Sequence, residues 1–583
     1  MKKRERGGRK LLYTAAAAAL CAALLSGCEG MSTAFFVSGP GKGSGQDIGT
    51  ADEPDGSYGA EMDAGREPET SRPLEKESMP QIDYEALENW FGDGSSGGGS
   101  DSGDASDSAG NGEPGDSDSD GRGDSGSGDR GGSGSGGPGG GDSNGSGIGN
   151  SGPGEGIAGP DSSGPGALSV RDKNVQSRVV IATDVHYLAD QLADGKCESF
   201  MEMAEESDGR VLPYLWEITD AFFDEVSEIR PDFLIVSGDL TMEGEKLSHQ
   251  EFAEKLGSLE DEGIQVLVIP GNHDINNGAA KGYREDTIYP TASVTDGEFA
   301  QIYEDYGYLE AEERDGYSLS YVYKLDDYFQ FLMLDSCQYD PVNLVGGALE
   351  NETYEWVEGV LEKSWETGVR TIPVTHHNLL DQSGVSKAFF DNCTIMHSES
   401  LLGLLSDNDV KLHLSGHLHI QHYREESGVS EVVTGSLLME PFQYGVIDIL
   451  RNGDIHYYSR QVDVEGWAKG RGMKNPELLD FESYARHYMW EVNWEKAYRE
   501  LSAKVQSGDV YLTGDEVYRM ALYYAAVCEN YYAGTMYKVI GEAKADPAYE
   551  LWMDIEFTTE TSSFLDNILQ DPALNYTDIL MKY

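Results

Sequence analysis

Positive charge is scarce in this chain: 42 lysines and arginines stand against 104 aspartates and glutamates over 583 residues, a net charge of -62. That balance favours solubility and argues against binding nucleic-acid polymers or anionic surfaces. Cysteine is also rare, with six residues and no CxxC pair, so a thiolate zinc site is not expected. An exported chain can form disulfides, but pairing among Cys197, Cys337, Cys393 and Cys528 cannot be read from sequence. Long apolar runs are nearly missing. The stretch Leu11 to Leu25 falls short of the roughly 20 residues that cross a bilayer. From Gly92 to Gly166 apolar side chains almost vanish among Gly, Ser, Asp, Asn and Pro, and such a segment cannot bury enough surface to offset its ordering entropy.

What is present divides the chain into unequal parts. Residues 1–27 combine a basic start (Lys2, Lys3, Arg4) with the short apolar run and the small pair Ser26-Gly27 before Cys28, the layout of an export signal. Leu25-Ser26-Gly27-Cys28 resembles the lipobox of bacterial lipoproteins. That resemblance implies lipidation of Cys28, an N-terminal lipid anchor in the membrane and an extracytoplasmic address on the outer face of the bacterial cytoplasmic membrane. Residues 28–176 read as a disordered tether. Within it Ile82 to Phe91 has the composition for a turn or two of helix, and with no partner element nearby its structure is expected to be transient.

Folded sequence begins near residue 177. Strand-length apolar runs (VVIAT, FLIVS, VLVI, FLML, TIPVT, KLHLS) alternate with helix-like stretches such as Val211 to Ile229, which predicts an α/β domain over 177–462. Arg451-Asn452-Gly453-Asp454 predicts a hairpin near its end. Beyond it, 475–583 reads as a helical domain. Asn475-Pro476, Asp546-Pro547 and Asp571-Pro572 look like helix starts, Thr513 and Glu516 like a capping box, and Trp490, Trp494, Ala497 and Leu501 share one face expected to be core.

Five segments then carry chemistry. Asp184 and His186 follow VVIAT, Asp239 follows FLIVSG, Asn272 and His273 follow VLVIPG, His376 follows TIPVT, and His417 and His419 follow KLHLSG. In open α/β sheets, loops leaving the carboxyl ends of strands converge on one crevice. Two Asp, one Asn and four His so placed are what two divalent cations sharing one carboxylate require, and such a pair is suited to hydrolysing phosphate esters. Oxygen and imidazole ligands without thiolate suit Mn, Fe or Zn.

The ordered set DxH, GD, GNHD, H and GHLH resembles the calcineurin-like metallophosphoesterases, and the stretch from Gly238 to Glu245 is similar to their cyclic-nucleotide phosphodiesterase branch, which includes exported bacterial members with a C-terminal helical domain. The resemblance implies a four-layer α/β/β/α sandwich with a helical bundle behind it. It places one metal on Asp184, His186, Asp239 and His419, the other on Asp239, Asn272, His376 and His417, with Asp239 shared. Where relatives have HHP, this chain has His376-His377-Asn378, and His376, directly after the strand, is the expected ligand. His273 is the implied general acid, with Asp274 orienting its ring.

His413, His249, His397, His422, His456 and His487 are expected to be surface or internally satisfied residues. Tyr283, Tyr303, Tyr306 and Tyr317 are candidates for an aromatic wall, with ordinary packing the simpler expectation. The activity expected is hydrolysis of small phosphodiesters, cyclic nucleotides being the class the resemblance implies. A phosphomonoesterase or nucleotidase, and a surface-binding lipoprotein using the domain as scaffold, are the rival readings.

Overall fold

The computed structural model describes residues 79–91, 171–205, 207, 209–383, 393–555, 560–572 and 574–583; the expected signal segment, Cys28 and most of the expected tether lie outside them. Among the described residues no helix is long and apolar enough to cross a membrane.

In chain order the strands are β1 (Val175–Ala182), β2 (Phe233–Ser237), β3 (Gln265–Ile269), the small hairpin β4 (Lys281–Arg284) and β5 (Thr287–Pro290), β6 (Glu313–Arg314), β7 (Tyr321–Lys324), β8 (Phe329–Met333), β9 (Arg370–Val374), β10 (Leu412–Ser415), β11 (His422–Glu426), β12 (Val429–Val433), β13 (Gln443–Leu450), β14 (Ile455–Gln461) and β15 (Asp578–Met581). The first sheet runs β15-β14-β13-β1-β2-β3 and the second β11-β12-β10-β9-β8-β7-β6. In each, the central strands pair in parallel: β1 with β2 and β2 with β3, then β8 with β9, β9 with β10 and β10 with β12. Parallel strands covered on both faces read as unbroken apolar runs. Val179 to Ala182 accordingly have no exposed surface.

The two sheets pack on each other through one core that joins Val179, Ile181 and Leu234 with Phe331, Val374 and Leu414. On the outer face of the first sheet lie helices Leu215–Ile229 and Lys246–Asp261, contributing Ile218, Phe222, Phe252 and Leu256 to that same core. Helices Asn351–Thr367 and Ser398–Asp407 cover the second through Val357, Leu361, Leu401 and Leu405. The result is the four-layer α/β/β/α arrangement.

Behind it, helices Phe481–Ser507 and Gly514–Tyr532 pack a second core around Trp490, Trp494, Met520, Tyr524 and Trp552. Thr513 and Glu516 form a reciprocal capping box, and Asp546 caps the helix that starts at Pro547. The hairpin expected at Asn452-Gly453 joins β13 and β14, with Gly453 at φ 92°.

Three expectations need correction. Asp571-Pro572 opens no helix among the described residues: it follows helix Glu560–Gln570, and the Asp571 carboxylate accepts from Tyr576 Oη at 2.7 Å. Residues 475–583 are not wholly helical, because β15 returns to pair antiparallel with β14, Ile455 opposite Met581. And Ile82 to Phe91 has a partner after all. It contains helix Tyr84–Glu88, capped by Asp83, with Leu87 buried in the second core.

Candidate metal centre

Every candidate ligand sits just past the carboxyl end of a parallel strand, at one end of the two packed sheets. Asp184, His186, Asp239 and Asn272 leave β1, β2 and β3 of the first sheet; His376, His417 and His419 leave β9 and β10 of the second. Asp184, His186 and His376 have no exposed surface, and Asp239 and Asn272 very little. His273, His417 and His419 are half-buried and form the solvent side.

The ligand atoms converge. Nε2 of His186 lies 3.3 Å from Nε2 of His419, which is 3.3 Å from Asp184 Oδ1. Asp239 Oδ2 is 3.3 Å from His376 Nε2 and 3.9 Å from His186 Nε2, placing it between both groups. His376 Nε2 also lies 3.1 Å from Asn272 Oδ1, while its Nδ1 donates to the Ser237 carbonyl at 3.0 Å. His377 turns away, with Nδ1 at Ser336 Oγ and Nε2 at the Val345 carbonyl. Three groups of acid and imidazole atoms result, each within 4.8 Å: Asp184–His186–His419, His186–Asp239–His273 and Asp184–Asp239–His376. His417 enters none of them; its ring packs 5.1 Å from His376 and 4.5 Å from His377, and its amide donates to Asp184 Oδ2 at 3.0 Å.

The local backbone explains how residues so distant in sequence come together. Asp184, His186, Asp239, His417 and His419 all adopt positive φ, between 43° and 70°. Outside glycine that region costs roughly 1–3 kcal/mol per residue and persists where surrounding structure over-determines it, typically at functional sites. Glycine is required at the tightest approaches. A Cβ on Gly271 would strike the Asp239 amide nitrogen and Oδ1, and one on Gly238 would strike the His376 ring.

These residues suit a dinuclear divalent metal site. Asp184 Oδ1 and His186 Nδ1 are buried without a hydrogen-bond partner, a costly state for polar atoms, and Asp184 Oδ1 faces the imidazole nitrogen of His419. The set holds only carboxylate, amide and imidazole donors, matching divalent ions of intermediate hardness.

The protein's own charges show the same tension. Burial drives His186 well below its ordinary value, and Arg210 nearby pushes the same way. His376 is raised to about 9 because Asp239 outweighs the burial that opposes protonation. Burial likewise opposes protonation of His273, yet Asp239 and Glu243 raise it to about 10.

The surroundings of His273 correct one expected role. Its Nδ1 lies 2.8 Å from the Met242 carbonyl and 3.2 Å from Glu243 Oε2, so these groups orient the ring. Asp274 instead accepts from the amides of Leu240, Thr241 and Gly271 and from Thr241 Oγ1; it staples the GD loop to the GNHD loop. Three of the four tyrosines follow the simpler expectation of packing. Tyr283, Tyr303 and Tyr306 are buried, Tyr303 against His249 Nδ1 at 2.9 Å, and Tyr317 is exposed.

Sequence reasoning passed over Glu431, the one charged residue of β12. Fully buried, it accepts from the amides of Leu379 and Leu380, from Gln382 Nε2 and from Ser415 Oγ, at 2.6–2.7 Å, and lies 3.1 Å from His413 Nδ1. It thereby ties the loop after His376 to the residue before Gly416. The chain of contacts continues outward from Gln382 Oε1 to His422 Nδ1 at 2.9 Å, and from His422 Nε2 to Asp571 at 2.8 Å. A lone carboxylate in the apolar run VSEVV was the only sequence signal.

Carboxylates and imidazoles gathered in this way at strand ends suit metal-assisted hydrolysis of phosphate esters. Residues 177–421 match the family model described as calcineurin-like phosphoesterase, and residues 463–575 the one described as the C-terminal domain of cyclic nucleotide phosphodiesterase. The chain carries a calcineurin-like phosphoesterase domain followed by that C-terminal domain. No curated protein matches it in sequence.

Among solved structures it is similar to a dimetal phosphatase from Danio rerio (11% identity, 49% of this chain and 96% of that one, TM-score 0.36). It is also similar to a purple acid phosphatase from yellow lupin seeds (15% identity, 49% and 51%, TM-score 0.31) and to a putative 5'-nucleotidase from Staphylococcus aureus (12% identity, 54% and 58%, TM-score 0.30). Overlaps this loose leave the reading of function to the family models and the site.

Proposed function

We propose that this chain is a phosphodiesterase acting on cyclic nucleotides or related small phosphodiesters. The observation that carries this reading is the pairing of the metal-suited centre with a C-terminal domain of the cyclic nucleotide phosphodiesterase type. Asp184, His186, Asp239 and His419 would hold one ion, and Asp239, Asn272, His376 and His417 the other, Mn, Fe or Zn being compatible with these donors. When bound, two such ions supply Lewis acidity toward the phosphate oxygens and make a water nucleophilic at neutral pH.

The chain's own residues do the rest. With Nδ1 engaged by Met242 and Glu243, His273 presents Nε2 toward the centre, 4.0 Å from Asp239 Oδ2, where it donates a proton to the departing oxygen. Asp274 holds the two loops that carry Asp239 and Asn272 in register. Arg210, near enough to His186 and His273 to lower the basicity of both, adds positive charge beside the centre.

The test is a paired assay of chromogenic phosphodiester and phosphomonoester substrates with added Mn, followed by a panel of cyclic nucleotides. A higher kcat/KM for the diester is expected. Preference for the monoester sinks this reading in favour of a nucleotidase-like enzyme, and no turnover of either substrate by the metal-loaded protein favours a scaffold.

The address proposed is extracytoplasmic, with a lipid on Cys28 holding the protein to the membrane. Labelled fatty acid should enter the full chain in a bacterial host and fail to enter Cys28→Ala.

A further inference from the structure

The C-terminal helical domain has a groove that is filled by a segment from far away in the sequence. Residues 79–91, MPQIDYEALENWF, lie across helices Phe481–Ser507 and Gly514–Tyr532. Leu87 is 4% exposed and belongs to the core that includes Trp490 and Trp494, and Met79, Ile82, Tyr84, Trp90 and Phe91 pack against that core. Tyr84 stacks on His487 at 4.2 Å, Phe91 meets Tyr523 edge-on at 6.3 Å, and Arg519 lies 5.3 Å over the Trp90 ring.

The backbone is read as well. Tyr518 Oη accepts from the Asp83 amide at 2.8 Å and donates to the Gln81 carbonyl at 2.9 Å. The segment carries Asp83, Glu85 and Glu88 and no basic residue; Glu88 lies 3.5 Å from His487, and the Arg519 guanidinium covers the Trp90 ring.

We propose that the C-terminal domain contains a peptide-recognition groove for a short acidic, aromatic helix, and that residues 79–91 of the same chain are its reversibly bound occupant. Tyr84 and Leu87 stand at the i, i+3 spacing by which a helix presents anchors to a groove, and Phe91 adds a contact beyond the helix end. Helix Tyr84–Glu88 has five residues, far below the roughly 12–15 that hold a helix together alone, so it exists only while docked. Because segment and groove belong to one chain, the contact is intramolecular and its effective concentration exceeds that of a separate peptide. A contact that is weak between separate molecules is therefore closed nearly all the time within one.

Hydrogen exchange on the full chain tests this. The amides of Leu87 and Trp90, which donate to the carbonyls of Asp83 and Leu87, should exchange at least about tenfold more slowly than in a free peptide. Leu87→Asp in the full chain should abolish that protection and leave metal content and turnover unchanged. A labelled synthetic 79–91 peptide should then bind the Leu87→Asp chain, whose groove is free, at least about tenfold more tightly than the wild type, whose own segment competes; a peptide carrying Leu87→Asp should not bind.

Free-peptide exchange rates in the wild type, or equal peptide affinity for both chains, would overturn the proposal. So would a wild-type dimer by light scattering that dissociates with Leu87→Asp, since the segment would then serve a neighbour.

Discussion

The two sheets contribute unequally to the metal centre. Both carboxylates and the amide come from the first sheet, and three of the four imidazoles come from the second. They are also held differently. Around Asp239 the first sheet relies on backbone, with Gly238 and Gly271 allowing an approach no Cβ permits and Asp274 stapling two loops through their amides. The second relies on a buried side-chain network centred on Glu431. The lesson is that all the carboxylate charge of the centre comes from one sheet while most of its imidazoles come from the other. The centre is complete only when the sheets are packed together.

Four measurements break or sharpen this contrast. Asp239→Ala removes the carboxylate that stands between both groups of ligands, and should cost more activity than the roughly 10–100-fold that supporting residues cost, with metal analysis showing fewer than two ions bound. Wild-type stoichiometry would place the shared role elsewhere. His273→Gln leaves every proposed ligand in place. Activity should fall by about 10²–10⁴ with metal content unchanged, and an activity loss that tracks metal loss would make His273 a ligand.

Glu431→Gln tests the second sheet alone. The amides of Leu379 and Leu380 lose their charged acceptor, and Mn affinity by equilibrium dialysis should weaken by about 10–100-fold for one of the two ions. A lower melting temperature with unchanged affinity would reduce Glu431 to packing.

The smallest effect concerns the connection between the sheets, residues 434–442, where Ser436 Oγ donates to the Asp184 carbonyl. Glu440 there is raised to about 8, first by burial and then by Glu529 nearby. Its folded value lies above its unfolded value near 4.5, so the folded state holds the proton longer. Stability is therefore greatest below pH 4.5 for this group and declines as pH rises toward 8. Glu440→Gln should flatten that decline, raising the melting temperature at pH 8.5 by a few degrees and leaving pH 5 nearly unchanged. Equal shifts at both pH values would reject a titrating Glu440.

Much of this was legible in the sequence for physical reasons that can be named. Buried parallel strands leave unbroken apolar runs, and the ligands follow them at once, so DxH, GD, GNHD, H and GHLH locate the centre before any coordinates. Thr513 with Glu516 and Asn452-Gly453 are local devices whose geometry depends on neighbours in sequence. What failed was non-local. Asp274 sits beside His273 in sequence, yet the ring is oriented by Met242 and Glu243, because the loop directs Asp274 inward to amides. Asp571 precedes a proline but serves His422 and Tyr576, and the segment around Leu87 finds its partner some 400 residues downstream. Glu431 carried a signal, a charge in an apolar strand, but not the identity of what it binds.

The return of β15 to the first sheet changes what kind of object the C-terminal domain is. It is bracketed on both sides by strands of the enzyme sheet, β14 before and β15 after, as an insertion is, instead of hanging from one end like a bead on a string. Trimming it away would strip the cover from β14 and bare a row of unpaired amides and carbonyls, an invitation to stick to other sheets. Loss of the last half-dozen residues should thus announce itself first as clumping, before any change in turnover.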